Sequence, residues 1–176
     1  MKSNVALIGF MGTGKTAVGQ ALAGRLHRRL VEVDVIIAQM AGKPIPDIFK
    51  NDGEIRFREL EIEAIKQAAA GNKQVIACGG GAVLNTINIE RLRASGVTVN
   101  LVASPAVILQ RTSREEGSRP LLNVQNPLER IQELMKFRKP FFDRAADFTV
   151  NTSGLSVDTI ADKIIDRLKG YEGFNI

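Results

Sequence analysis

A glycine-rich loop with a lysine and a threonine is the stretch of this sequence that most directly predicts chemistry. Residues 9–16 read GFMGTGKT and fit the pattern G-x-x-x-x-G-K-[ST]. An apolar run at 4–10 precedes the loop and an amphipathic run at 16–26 follows it, which predicts a strand, a loop and a helix. Such a loop turns its backbone N–H groups toward a phosphate group. It therefore predicts a nucleoside triphosphate site that includes Gly12, Thr13, Gly14, Lys15, Thr16 and Ala17.

Two of these side chains have more specific expected roles. Lys15 reaches the β- and γ-phosphates, and the Thr16 hydroxyl ligates Mg²⁺. Because switches, motors and small-molecule kinases all use such loops, the loop does not identify the acceptor of the phosphoryl group.

Two carboxylates lie in LVEVD, in a strand predicted over 28–36. Side chains alternate along a strand, so we expect Glu32 and Asp34 to share one face and Val31 and Val33 to share the other. Ligands of open parallel sheets bind at the carboxyl ends of the strands. We assign Glu32 to Mg²⁺, through water, and Asp34 to the acceptor hydroxyl group. A polar strand edge that faces solvent is the alternative.

Three consecutive glycines follow a predicted strand at 73–79, in the stretch CGGGAV. Glycines add backbone entropy to the unfolded chain and pack no side chain, so folding alone does not favour three of them. Bare backbone at the end of a strand would let another group approach it closely. A flexible connection is the alternative, although one glycine would suffice for it. The neighbouring Cys78 is expected to be a buried core residue.

Several arginines could bind an anion. Arg58 shares a predicted helix face with Glu54 and Glu61, and surface ion pairing is the alternative reading of this cluster. Three other candidates are Arg111 on a predicted helix, Arg119 in the long polar loop that follows it, and Arg138 near the end of a later helix.

Strands and helices that alternate along the chain must position these residues. Beyond the segments named above, strands are predicted at 97–103 and 147–152, and helices at 35–42, 43–49, 53–71, 85–96, 104–114, 127–142 and 156–170. The helix at 127–142 is expected to bend or end near Pro140. The alternation predicts an α/β fold with a parallel sheet, helices on both faces and right-handed crossovers. We expect one domain over 1–176.

Composition limits the possible classes of function. The chain has 176 residues, 44% hydrophobic and 24% charged, with one cysteine and a net charge of +5. No apolar run is long enough for a membrane span, and a lone cysteine forms no internal disulfide, so we expect a cytoplasmic protein with no membrane partner. The basic residues are scattered without interleaved aromatic residues, which favours small anionic ligands over nucleic acid.

The set of motifs, in this order and spacing, resembles shikimate kinase over roughly residues 4 to 168. The glycine triplet and the helix with Glu54, Arg58 and Glu61 distinguish this family from other families better than the phosphate loop does, because many families share that loop. The stretches that carry the resemblance are GFMGTGKT, VEVD, IPDIFKNDGEIRFRELE, CGGGAV, RTSREEGSRPLL and FRKPFFDRAAD.

The resemblance implies a three-layer P-loop kinase fold with a five-stranded parallel sheet, similar to nucleoside monophosphate kinases. It also implies a substrate-binding region at about 33–62 and a lid at about 112–126. The implied reaction is phosphorylation of the 3-hydroxyl group of shikimate by ATP with Mg²⁺, on the route to chorismate and the aromatic amino acids. A monomer is expected.

The resemblance also assigns roles by motif position. Asp34 binds ring hydroxyl groups and activates one as a base. Arg58 and Arg138 hold the substrate carboxylate, and Glu61 orients Arg58. Arg119 reaches the γ-phosphate from the lid. The resemblance implies that Gly80 and Gly81 contact the substrate. It also implies that the adenine side of ATP contacts Arg111, Asn151 and Thr152.

Three positions depart from the family pattern. The family usually has Asp at Glu32 and often has Tyr at Phe142 and Asp at Asn151. Two other functions share the phosphate loop: a gluconate-type sugar kinase, and a nucleotide-binding regulator that has lost catalysis. The first would not need three arginines around a glycine triplet, and the second is favoured only by Glu32.

Overall fold

A twisted parallel sheet is the centre of the computed structural model, which describes residues 2–114, 120–174 and 176. The strands are β1 (Asn4–Gly9), β2 (Arg29–Glu32), β3 (Gln74–Ala77), β4 (Gly96–Val102) and β5 (Phe148–Asn151). Their order across the sheet is β2-β3-β1-β4-β5, and every neighbouring pair is parallel. The predicted five-stranded α/β fold is confirmed.

The helices cover both faces of this sheet. They are α1 (Lys15–Arg25), α2 (Val33–Ala41), α3 (Ile45–Asn51), α4 (Gly53–Ala69), α5 (Thr86–Ser95), α6 (Pro105–Thr112), α7 (Pro127–Ala145) and α8 (Val157–Lys169), with short 3₁₀ turns at Ala82–Leu84 and Pro120–Leu122. Helices α1 and α8 pack on one face, against a cluster that includes Val5, Leu7 and Val99. Helices α4, α5 and α7 pack on the other face, where Ile8 and Ile76 are buried.

The strand order places a crevice at the carboxyl ends of β1 and β3. These two strands are hydrogen-bonded neighbours, but the chain leaves β1 toward β2 on one side and leaves β3 toward β4 on the other. Ligands of open α/β sheets bind where the connections diverge in this way. The phosphate loop follows β1 and the glycine triplet follows β3, so both motifs open onto this crevice.

The predicted strand at 28–36 is wrong beyond its first half. Strand β2 ends at Glu32, which pairs with Ala77 at the end of β3, and α2 begins at the next residue. An edge strand cannot extend past its only neighbour, and β3 stops where the glycines begin. Val33 and Ile37 are both buried one helical turn apart, and Asp34 in the first turn suits the helix dipole. The expectation that Glu32 and Asp34 share one face of a strand is therefore wrong, because Glu32 ends β2 and Asp34 lies in the first turn of α2.

Helix α7 is also longer than predicted. It runs through Pro140 to Ala145 instead of ending near the proline. Pro140 is exposed, so the carbonyl group that loses its helical partner lies on the solvent side, whereas Arg138 and Phe142 are buried on the opposite side. Packing of the buried side maintains the helix across the break. Among the described helices, none is long and apolar enough to cross a membrane.

Candidate active site

The phosphate loop leaves β1 and returns directly into α1. Gly12 and Gly14 have φ angles of 73° and 91°, a backbone conformation that favours glycine. Thr13 is 1% exposed, and its hydroxyl group donates a hydrogen bond of 2.8 Å to the carbonyl oxygen of Phe10, which closes the loop. Among the described residues, no side chain caps α1 at Gly14, so the N–H groups of its first turn are available to an anion.

Lys15 lies across this loop. Its ammonium group donates hydrogen bonds of 2.9 Å to the carbonyl oxygens of Gly9 and Phe10, and the side chain is half-buried. The cation is thereby held at the mouth of the loop, where the motif requires it.

A cavity of about 490 Å³, here called the larger cavity, opens above the loop. The residues of the loop and of the start of α1 that line it are Gly12, Thr13, Gly14, Lys15, Thr16 and Ala17. Arg111 lines it as well and donates hydrogen bonds to the carbonyl oxygen of Gly12 and to Thr152, at 3.1 to 3.2 Å. Arg111 therefore ties the loop to the segment after β5.

The far wall of the larger cavity is apolar. Leu155, Val157 and Ile160 line it, at the start of α8 and just before it. We did not predict these residues, because apolar side chains carry no chemical signature in a sequence. The N-cap at Ser156 was the available signal, since it places the first turn of α8 beside the segment after β5.

A second cavity of about 100 Å³, the smaller cavity, adjoins the first. Asp34, Gly79 and Gly80 line both cavities and so lie at their junction. The rest of the smaller cavity combines charged and apolar residues: Met11, Ile45, Phe49, Phe57, Arg58, Glu61, Gly81, Leu121 and Arg138. Most of these come from the predicted substrate-binding region at 33–62.

A partly buried ion pair lines the smaller cavity. Arg58 Nη1 donates to Glu61 Oε2 at 2.8 Å, and Arg58 Nη2 donates to Glu54 at 3.1 Å. Burial lowers the pKa of the Arg58 guanidinium, but Glu61 and Glu54 more than offset that effect, and the net pKa is raised. The Glu61 side chain is 1% exposed, and burial raises the pKa of its carboxyl group despite Arg58. The expectation that Glu61 orients Arg58 agrees with this geometry.

Arg138 also lines the smaller cavity. It is 4% exposed, donates a hydrogen bond of 3.2 Å to the carbonyl oxygen of Gly80, and lies over the ring of Phe10. Burial, followed by repulsion from Arg58, lowers the pKa of its guanidinium. Arg138 Nε has no hydrogen-bond partner within the described ranges. Arg58, which is held by Glu61 and Glu54, and Arg138 therefore border one small space, and their guanidinium groups suit a carboxylate ligand.

The glycine triplet makes room for this constellation. A β-carbon at Gly81 would lie 2.7 Å from Arg58 Cζ, and one at Gly80 would lie 3.1 Å from the backbone nitrogen of Met11. A β-carbon at Gly79 would lie 3.1 Å from Asp34 Oδ1 and from Glu61 Oε1. The triplet thus leaves room for neighbouring protein groups, a reason that the sequence did not reveal.

Thr16 and Glu32 form the candidate metal site. Thr16 Oγ1 donates to Glu32 Oε2 at 3.1 Å, and both side chains line the larger cavity next to the loop. In the described part of the chain, no cluster of three or more His, Cys, Asp or Glu side chains could hold a metal ion by itself. One hydroxyl and one carboxylate oxygen fit the way Mg²⁺ binds with phosphates and water, and the residues therefore fit this ion.

Two predicted nucleotide contacts remain, Arg119 and Asn151. Arg119 lies outside the described residues, together with 115–118. Asn151 is not among the residues that line the larger cavity, and its amide oxygen accepts a hydrogen bond of 2.9 Å from the backbone nitrogen of Ser153. Asn151 therefore shapes the turn after β5.

Cys78 confirms its predicted burial. It is 3% exposed at the wall of the larger cavity, and burial, followed by the nearby Glu61 carboxylate, raises the pKa of its thiol to about 12. A thiol with such a pKa stays protonated near neutral pH and does not act as a nucleophile.

Taken together, the geometry suits phosphoryl transfer from a nucleoside triphosphate to a small acid. The larger cavity has the phosphate-binding loop, the smaller cavity has two guanidinium groups, and a carboxylate lies at their junction. An acceptor that carries both a carboxylate and a hydroxyl group would present the hydroxyl group to Asp34.

Comparisons with known proteins agree with this chemistry. The family model described as shikimate kinase matches residues 11–169. A shikimate kinase of Thermodesulfovibrio yellowstonii is 47% identical over 169 residues, which cover 96% of this chain and 95% of that protein. One of Caldanaerobacter subterraneus subsp. tengcongensis is 44% identical, over 95% of this chain and 98% of that protein. The solved shikimate kinase of Acinetobacter baumannii in complex with shikimate is 35% identical with a TM-score of 0.93, over 98% of this chain and 96% of that one.

Proposed function

The chain belongs to the shikimate kinase family, and from this premise we propose how its residues catalyse the phosphorylation of shikimate by ATP. The products are shikimate 3-phosphate and ADP, and the reaction serves the synthesis of aromatic amino acids. The larger cavity takes ATP and the smaller cavity takes shikimate. Direct in-line transfer of the γ-phosphoryl group then occurs at their junction.

One observation supports this assignment above the others: Asp34 lines both cavities. Among the described carboxylates that line these cavities, Asp34 is the one at the junction, and a carboxylate there can orient the attacking hydroxyl group against the γ-phosphate. Asp34 accepts the proton of that hydroxyl group as the bond to phosphorus forms. Lys15, which already spans the loop, stabilises the charge on the transferring group.

Arg58 and Arg138 bind the carboxylate of shikimate. Both line the smaller cavity, Arg58 held by Glu61 and Arg138 held by the carbonyl oxygen of Gly80. The unpartnered Nε of Arg138 supports this role, because the buried group lacks an acceptor among the described residues. When its carboxylate is bound, the shikimate ring presents one hydroxyl group to Asp34. The binding energy of the carboxylate thus positions the reacting group.

We assign Arg119 to the γ-phosphate as part of a lid at about 112–126. Leu121, in the 3₁₀ turn at Pro120–Leu122, lines the smaller cavity, which supports a lid that reaches the acceptor. Gly80 and Gly81 remain predicted substrate contacts, and one domain over 1–176 remains the prediction. We place the adenine of ATP between Leu155 and the hydrogen-bonded pair Arg111 and Thr152, because all three residues line the larger cavity.

Mg²⁺ is the metal that we propose for this site, held by Thr16 and, directly or through water, by Glu32. Mg²⁺ would neutralise charge on the β- and γ-phosphates when bound with ATP. The contribution of this chain is to place two oxygen ligands 3.1 Å apart beside the phosphate loop. We also propose a monomer in the cytoplasm that uses neither nucleic acid nor membrane as a partner.

The test of the proposed function is acceptor dependence. Purified protein with ATP and Mg²⁺ is given shikimate, gluconate or no acceptor, and ADP release is measured together with the phosphorus NMR spectrum of the product. We expect release with shikimate alone and one new phosphomonoester signal. Equal release with gluconate would favour a broader sugar kinase, and no release with bound ATP would favour a non-catalytic regulator.

A further inference from the structure

Helix α6 presents one face to the phosphate loop. A β-carbon at Gly12 would lie 3.0 Å from Thr112 Cγ2 and 3.5 Å from Ile108 Cγ2, so the loop rests on these two side chains. Arg111 belongs to the same face, since residues three and four positions apart on a helix are neighbours. Its Nη1 atom donates a hydrogen bond of 3.1 Å to the carbonyl oxygen of Gly12. The contact between α6 and the loop is therefore both apolar and hydrogen-bonded.

The other hydrogen bonds of Arg111 fix it to the segment after β5. Nη1 also donates to Thr152 Oγ1 at 3.1 Å, and Nη2 donates to the carbonyl oxygen of Thr152 at 3.2 Å. Thr152 is fully buried, and both its backbone nitrogen and its hydroxyl group donate to the carbonyl oxygen of Val102 at the end of β4. The guanidinium thus connects Gly12 to a buried residue that the sheet itself holds.

The hydrogen bond to Gly12 sets the direction of one backbone N–H group of the loop. The peptide between Gly12 and Thr13 is trans, like the other peptides in the described part of the chain. In a planar trans peptide the C=O and N–H bonds point in opposite directions, so a Gly12 oxygen held by Arg111 directs the N–H group of Thr13 away from the guanidinium. Thr13 lines the larger cavity, where successive N–H groups of such a loop bind phosphates.

This peptide needs an external support because a glycine precedes it. Gly12 has a φ angle of 73°, and glycine adopts positive and negative φ angles about equally readily. The peptide can therefore rotate at a low steric cost, and rotation would turn the Thr13 N–H group away from the phosphates. A guanidinium anchored on Thr152 opposes that rotation.

We propose that Arg111 is a positioning residue for the phosphate loop, which acts through the Gly12 carbonyl group and keeps the Thr13 N–H group directed at the phosphates of ATP. The role is additional to the adenine contact assigned to Arg111 above, because it concerns the loop and not the base. It rests on the proposed binding of ATP in the larger cavity. A ligand with phosphates but no base should therefore depend on Arg111.

Isothermal titration calorimetry with inorganic tripolyphosphate and Mg²⁺ tests this role without a base. We expect Arg111→Met to weaken tripolyphosphate about tenfold. Arg111→Lys keeps the charge but lacks the planar fork that reaches Gly12 and Thr152 together, so tripolyphosphate should still bind about fivefold more weakly than to the wild type.

Arg167→Met on α8 is the matched control. It removes a hydrogen bond of 3.3 Å from an arginine to the backbone oxygen of Thr149, and neither residue lines the larger or the smaller cavity. Tripolyphosphate affinity should stay within about twofold of the wild type.

The amide resonance of Thr13 reports the orientation of the peptide. In ¹H–¹⁵N NMR spectra, saturating tripolyphosphate should move this resonance downfield in the wild type and much less in Arg111→Met. The Ala17 resonance should move equally in both proteins, because the first turn of α1 orients that N–H group.

The proposal fails if Arg111→Met binds tripolyphosphate normally and ATP weakly, since Arg111 would then contact adenine alone. Full affinity in Arg111→Lys would also overturn it, because charge would suffice, as would an equal Thr13 shift in the wild type and Arg111→Met. If Arg111→Met fails to fold, Arg111→Lys carries the test. A wild type that binds no tripolyphosphate would instead contradict the phosphate-loop assignment on which the proposal rests.

Discussion

Arg58 and Glu61 form an ion pair within one turn of α4, with Nη1 and Oε2 2.8 Å apart and the Glu61 side chain buried. The pair aims the guanidinium at the smaller cavity. We expect Glu61→Gln to raise KM for shikimate about tenfold with a smaller change in kcat, since a charge-assisted hydrogen bond to the positioning carboxylate is lost. Steady-state kinetics measure both constants.

The matched control for this variant is Glu54→Gln. Glu54 also pairs with Arg58, at 3.1 Å, but its side chain is 53% exposed. An exposed pair contributes little, so KM should change by less than about twofold. Equal effects of the two substitutions would contradict the positioning role of Glu61.

Glu61 also predicts a pH dependence of stability. Burial raises the pKa of its carboxyl group above the ordinary value of 4.5, so the folded state binds this proton more tightly than the unfolded state does. Its stabilising contribution is complete below that ordinary value and is lost as pH rises through the folded pKa. The unfolding free energy of the wild type minus that of Glu61→Gln should therefore fall as pH rises from 4.5 toward neutrality. Urea unfolding across this range tests it, and a difference that rises with pH would refute the burial argument.

Gly81→Ala tests the space that the triplet leaves. The new β-carbon would lie 2.7 Å from Arg58 Cζ, and because a long side chain can move, the guanidinium should shift rather than the backbone. We expect KM for shikimate to rise about tenfold with little loss of stability. Gly24→Ala in α1 is the control, since nothing lies within 4 Å of its β-carbon, and it should leave kinetics unchanged while stabilising α1 by about 0.5–1 kcal/mol. A normal KM in Gly81→Ala would mean that Arg58 does not need this position.

Glu32 tests the metal assignment. Glu32→Gln should raise the Mg²⁺ concentration for half-maximal activity about tenfold, because a carboxylate that holds or orients the ion is neutralised. ATP affinity without Mg²⁺ should stay within about twofold. Glu32→Asp keeps the charge at the position where the family usually has Asp, and it should retain activity within about threefold. Unchanged Mg²⁺ dependence in Glu32→Gln would remove Glu32 from the metal site.

Local motifs made much of this site predictable. The phosphate loop, the triplet and the Arg58 cluster each span a few residues, and their spacing alone places them on a loop, a strand end and a helix face. Parallel topology then brings the loop after β1 beside the triplet after β3. For these residues the chemistry could be inferred before the geometry was known.

Other features depend on contacts between distant segments, which a single sequence does not show. Strand β2 ends at Glu32 because its neighbour β3 ends at Ala77, so the placement of Asp34 on a helix could not be inferred from VEVD alone. Helix α7 passes Pro140 because its opposite side is buried. The apolar wall at Leu155 depends on the packing of α8 beside the loop, which the sequence alone does not show.

The most direct test of the account is Asp34→Asn, measured with the wild type for shikimate-dependent ADP release and for ATP affinity by calorimetry. Asp34 lies where the two cavities meet, and the amide keeps its size but cannot take the hydroxyl proton. We predict that kcat falls by at least about 100-fold while the Kd for ATP stays within about twofold. A variant that binds ATP normally and retains its kcat would contradict the assignment of Asp34 as the base, and with it the proposed division of the site.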